Sequence, residues 1–195
     1  MQLFKSLIVC ALLAVLTYRC EKEIVTPEQN LIVPALSGSE DLIRPDFPCG
    51  ASEFTDLKDD LGNSYGDVEI LNDQDNVYLL IEMEQGKFLD VVQVFFGTQT
   101  QIPNDGNGSI LMENAQFQSV ITRGASLYTV AFPLNGLPTC TDIVFRAQVS
   151  EKNVFGQNTN TTTAWLTGIP VMNGNYFKYC HGACGTNVLT QDVVE

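Results

Sequence analysis

Residues 77–84 read VYLLIEME, and the period of this octapeptide decides the fold. Alternate residues of an extended chain point to opposite faces of a sheet. Val77, Leu79, Ile81 and Met83 therefore share one apolar face. The same period recurs downstream. SLYTVAFPL, 126–134, sets Leu127, Thr129 and Ala131 against Tyr128, Val130 and Phe132, and DIVFRAQV, 142–149, sets Ile143, Phe145, Ala147 and Val149 against Val144, Arg146 and Gln148. FLDVVQVFF (88–96), FQSVIT (117–122) and YGDVEIL (65–71) are further strand candidates. Clusters rich in Gly, Asn and Asp separate them: NDQDN (72–76), EQGK (84–87), IPNDGNGS (102–109), TRGAS (122–126) and PLNGLP (133–138). No window carries a 3.6-residue apolar period over three turns. Short strands at regular spacing predict an all-β chain folded as an antiparallel β-sandwich, immunoglobulin-like or jelly-roll-like.

Before the sandwich the chain has a different character. MQLFK, 1–5, is short and cationic, and SLIVCALLAVL, 6–16, is an apolar run of 11 residues. A spanning helix needs about 20 apolar residues, so this run fits the hydrophobic region of an export signal. Cys20 follows in VLTYRCEKEIV, 15–25, and it reads either as an ordinary cysteine near a signal cleavage site or as a lipid anchor. Pro27, Pro34, Pro45 and Pro48 with Ser37, Gly38 and Ser39 break any helix beyond it. The expected organisation is a signal peptide over 1–19, a proline-containing tether over 20–48 and a β-sandwich domain over 49–195. Within the tether, the apolar LIVPAL, 31–36, suits packing against a partner.

CEKEIV followed by a proline-containing linker resembles the start of mature outer-membrane lipoproteins of the Bacteroidota. The resemblance implies cleavage before Cys20, lipid on its thiol, and surface export signalled by Glu21 and Glu23. Tyr18 and Arg19 depart from the small residues usual before such a cysteine. The implied location is the bacterial outer membrane, lipid-anchored and exposed at the cell surface.

Charge narrows the partners. The formal net charge is -13, and removing Lys5 and Arg19 with the leader gives -13 - 2 = -15. So acidic a surface repels phosphate backbones, which argues against nucleic acid, and offers no basic patch to anionic headgroups.

Cys49, Cys140, Cys180 and Cys184 remain for the domain. In an exported chain they predict disulfides, with three connectivities open. A bridge from Cys49 to the C-terminal pair and a local Cys180–Cys184 bridge both fit the spacing. CHGAC, 180–184, also places the only histidine, His181, between two sulfurs; a zinc site there would need Cys49 or Cys140 as the fourth ligand. NDQDN resembles the opening of a calcium loop. Counted from Asp73, however, the sixth position is Tyr78, where an EF-hand requires Gly. Asp73, Asp75 and Asp105 remain as weak calcium candidates on sandwich loops. No P-loop or GxGxxG occurs, and a His-dependent triad would have to use His181. A hydrolase would need a carboxylate pair that the sequence does not single out. No cofactor is implied.

Trp165, Tyr176 and Tyr179 cluster late in the chain. Such rings either fill the core or form a platform for sugars and peptides. The run from Gly62 to Tyr179 is similar to a group of uncharacterised exported β-sandwich proteins. The matching residues are Asn72, Asp73, Asp75 and Asn76, then Ala164, Trp165, Gly168, Asn175, Tyr176, Phe177 and Tyr179, a late TAW-G…N-YF-Y signature. Where that group has an acid before the TAW segment, this chain has Thr162 or Thr163, so no ligand role carries over. The expectation is a non-enzymatic interaction module, or an accessory subunit with a protein partner in the outer membrane. Carbohydrate binding is the alternative and a hydrolase the third reading.

Overall fold

The computed structural model describes residues 42–153 and 155–184. The expectations placed on the leader, Cys20 and LIVPAL lie outside these residues. The chain is all-β: ten antiparallel strands and two single 3-10 turns, Gln99–Gln101 and Met112–Asn114. The strands are β1 Cys49–Lys58, β2 Ser64–Asn72, β3 Asn76–Met83, β4 Lys87–Gly97, β5 Phe117–Ala125, β6 Leu127–Pro133, β7 Cys140–Lys152, β8 Asn158–Leu166, β9 Ile169–Val171 and β10 Gly174–Cys180.

Their order is β5-β4-β7-β8-β1-β2-β3-β6, with β10 bonded to the start of β7 and β9 to β10. One half, β5-β4-β7 with β8 and β10, faces the other, β1-β2-β3-β6. The two halves join through a narrow seam in which β1 meets β8 only at Leu57–Leu166 and Lys58–Trp165. The opposite margin is bridged covalently. β5 and β6 stand at the two ends of the order, yet Ser126 alone separates them. The sheet is thus nearly closed on itself, with the core between its halves.

Alternation fills that core. Val77, Leu79 and Ile81 from β3 and Ile143, Phe145, Ala147 and Val149 from β7 are all buried. Phe96 of β4 stacks on Phe132 of β6, centroids 4.3 Å apart, and ties one half to the other. Burying each such side chain stabilises the fold by roughly 1.5–3 kcal/mol before entropy is counted.

Three segments differ from expectation. TRGAS is not a loop: β5 continues through Ala125, and Gly124 takes the left-handed φ of 71° that its irregular pairing with β4 requires. NTNTTT, which reads as a polar tract, is the first two-thirds of β8, because threonine's branched Cβ suits a pleated surface. The end of the tether is also part of the domain. Leu42 packs on Leu71, Tyr78, Leu80 and Ala131, the Ile43 N–H donates to Thr129 Oγ1 at 3.0 Å, and Arg44 forks onto the Glu69 carboxylate. Residues 42–44 therefore strap the outer face of β2-β3-β6.

Candidate functional site

Three regions collect the chemistry-bearing residues. The first is the end of the domain where its boundaries meet. Cys49 bonds Cys184, and Cys140 bonds Cys180, its direct partner across the β7–β10 ladder. The alternatives left open by spacing are thus decided: the long bridge forms, Cys180 and Cys184 take different partners, and the four sulfurs are in disulfides rather than on a metal. Gly182 lies so close to β1 that a Cβ there would sit 2.7 Å from the Gly50 Cα. Asn72, fully buried beside them, uses its whole amide. Its Oδ1 accepts from Tyr179 Oη (2.8 Å) and Gly182 N (3.0 Å), and its Nδ2 donates to the carbonyls of Asp73 (2.8 Å) and Gly182 (3.1 Å).

Asp73 and Asp75 border an open cleft of about 630 Å³ here, with Asp46, the exposed Phe47 and the Cys49–Cys184 bridge. Asp73 is already committed. Oδ1 accepts from the N–H groups of Asp75 (2.8 Å) and Asn76 (2.7 Å), and Oδ2 accepts from Tyr78 Oη at 2.6 Å. Burial alone would raise its pKa, but these hydrogen bonds outweigh it and hold the carboxyl below the usual range. Burial and the same carboxylate push the Tyr78 phenol up to about 12. Asp105 sits apart in the loop between β4 and β5, its Oδ1 accepting from Asn107 N and Ser109 N. The three calcium candidates are thus two turn-building carboxylates and one exposed acid. Among the described residues no group of three His, Cys, Asp or Glu is placed to hold a metal.

The second region is the outer face of β4-β7-β10. Loop 98–116 folds over it and buries Phe95, Ile102, Ile110, Met112 and Val144 with Trp165 and Tyr176. Asn173 clips the loop, its Oδ1 accepting from Ile110 N at 2.6 Å. Trp165 is 6 % exposed, Tyr176 7 % and Tyr179 1 %. The rings singled out as a platform are therefore packing residues. Arg146 lies over Trp165 at 5.7 Å, Gly174 leaves room for its six-membered ring, and Tyr179 turns into the core to reach Asn72. Burial, with the Glu53 charge nearby, pushes the Tyr179 phenol up to about 12.

The third region was not singled out in the sequence. On the outer face of β1-β2-β3, Asp56 stands directly opposite Asp67, and Asp67 directly opposite Glu82. Like charges so placed destabilise a sheet. Lys58 neutralises Asp56 at 2.5 Å, and among the described residues Asp67 and Glu82 have no ion-pair partner. In the next row Phe54, 70 % exposed, lies opposite Glu69. With Leu42, Arg44 and Leu80 these residues border a groove of about 400 Å³. Alternation in YGDVEIL and VYLLIEME sets Asp67, Glu69 and Glu82 opposite the inward face, but β1 with Asp56 and the register that aligns the row are tertiary facts. Comparison with protein-family models, curated proteins and solved structures finds no match for this chain.

Proposed function

We propose that the protein is a non-enzymatic interaction module, anchored through lipid on Cys20 in a bacterial outer membrane, exposed at the cell surface and serving as an accessory subunit there. The observation that carries this reading is the outer face of β1-β2-β3. An exposed phenylalanine beside an in-register row of carboxylates costs solubility and stability, and it suits a partner surface that is apolar and cationic. The same sheet already accepts such a segment from its own chain: Leu42 enters an apolar patch while Arg44 pairs with Glu69. Two disulfides are consistent with an oxidising compartment.

Gentle detergent extraction with a C-terminal tag tests the reading. A stoichiometric partner should co-purify with the parent, and its yield should fall when Phe54→Ser and Asp67→Asn are combined. Recovery of the protein alone counts against the proposal. The anchor is tested separately with a clickable palmitate, since Cys20→Ala should abolish labelling. Trp165, Tyr176 and Tyr179 are buried, so sugar capture through them is not the favoured reading, and a glycan array checks it directly.

A further inference from the structure

β8 leaves part of one edge bare. It bonds β7 along Asn158–Trp165, while its other edge meets β1 only at Trp165 and Leu166. Among the described residues nothing pairs with the outward edge of Asn160–Thr163; Asn158–Thr161 are exposed and Thr162 and Thr163 half-buried, whereas Ala164 is fully buried. The strands at the ends of the sheet are guarded by familiar devices: Arg123 and an irregular register on β5, Pro133 on β6. Residues 160–163, NTTT, carry no charge, no proline and no glycine, and three of the four are β-branched. The ladder's one irregularity lies before them, at Thr159. Unpaired backbone N–H and C=O groups on such a stretch are a template for another strand.

A groove of about 510 Å³ runs beside this edge, lined by Asp59, Asp60, Leu61, Gln148, Thr161 and Thr163. The Asp59 carboxylate is used within its own turn, accepting from Leu61 N, Asn63 N, Asn63 Nδ2 and Tyr65 Oη. Asp60 makes no hydrogen bond or ion pair among the described residues, and Leu61 is almost fully exposed. A second copy of this chain is a poor occupant. It would bring the same acids edge to edge between two molecules that each carry a net charge of -13.

We propose that an extended segment of a different protein adds to β8 along Asn160–Thr163, with a lysine or arginine facing Asp60 and an apolar side chain against Leu61. The main-chain ladder would supply affinity and the two side chains selectivity. This deepens the interaction-module reading, and rests on it for the existence of a partner.

The test uses the oxidised protein and an acetylated, amidated heptapeptide of sequence TKVTLTK. Hydrogen exchange should slow at amides within 160–163 as peptide concentration rises. The acidic counterpart TEVTLTE and a backbone N-methylated TKVTLTK should protect far less. Asp60→Asn, an exposed change in a turn, should weaken the cationic peptide about threefold. Absence of protection with TKVTLTK, equal protection by TEVTLTE, or self-association that shields the edge without peptide would each overturn the proposal. Because no native partner enters this assay, a negative result here with a partner recovered from membranes removes the β8 site and leaves the broader reading standing.

Discussion

Replacing Asn72 with alanine would strand a buried phenol and both polar groups of Gly182 at once. A hydrogen bond contributes about 1 kcal/mol net, and each group left unpaired inside costs a further 1–3. The expected loss is roughly 3–5 kcal/mol in urea unfolding, and a loss below about 1 kcal/mol would remove Asn72 from this role. Acid titration reads two other residues. Burial alone would raise the Glu69 pKa, but hydrogen bonds from Arg44 and Ser52 together with the Arg44 charge hold it below the usual range, as hydrogen bonds do for Asp73. A pKa depressed in the folded chain means that stability is complete above the unfolded values near 4 and is lost as pH falls through the folded ones. The urea midpoint should therefore fall below about pH 4, and Arg44→Gln should make that fall shallower. Of these roles, sequence carried only identities: the first asparagine of NDQDN reads as a turn residue, because its partners lie 107 and 110 positions away.

Strand alternation was enough to find β2, β3, β4, β6, β7 and most of β5, and to sort the two faces of β3, β6 and β7. Four local chemistries hid the rest. Threonine and asparagine made the start of β8 read as a polar tract, Gly124 made the end of β5 look like a turn, and aromatic density left β10 open to two readings, core or ligand platform. The fourth was the start of β1, whose CGASE is small and polar because Gly50 must admit Gly182. Cross-strand register is the element-scale fact that no pattern supplies. It places Asp67 between Asp56 and Glu82, so Asp67→Asn should stabilise the domain by about 0.2–1 kcal/mol. A small rise in Tm would report this, with less partner recovered from membranes. A variant that is destabilised instead would show that the row is not under repulsion.

At the scale of the whole molecule, fold class and the presence of disulfides were legible, whereas connectivity was not, since it depends on β10 returning beside the first residues of β7. The two bridges close unequal loops, with sequence separations of 135 and 40. On the chain-entropy model the first stabilises by about 5 kcal/mol and the second by about 4, before any native strain. Cys49→Ala with Cys184→Ala should therefore lower the urea midpoint more than Cys140→Ala with Cys180→Ala, and the reverse order would show that the local bridge matters more. The longer bridge also joins the first strand to the segment just after the last, and that governs how the domain carries load. A pull applied at residue 48 and residue 185 passes directly through the Cys49–Cys184 sulfurs and bypasses every strand pair between them. Roughly 450 Å of contour is held out of reach of that force, so stretched between its flanking segments the oxidised domain behaves as a short rivet, and only reduction turns it into an extensible spring.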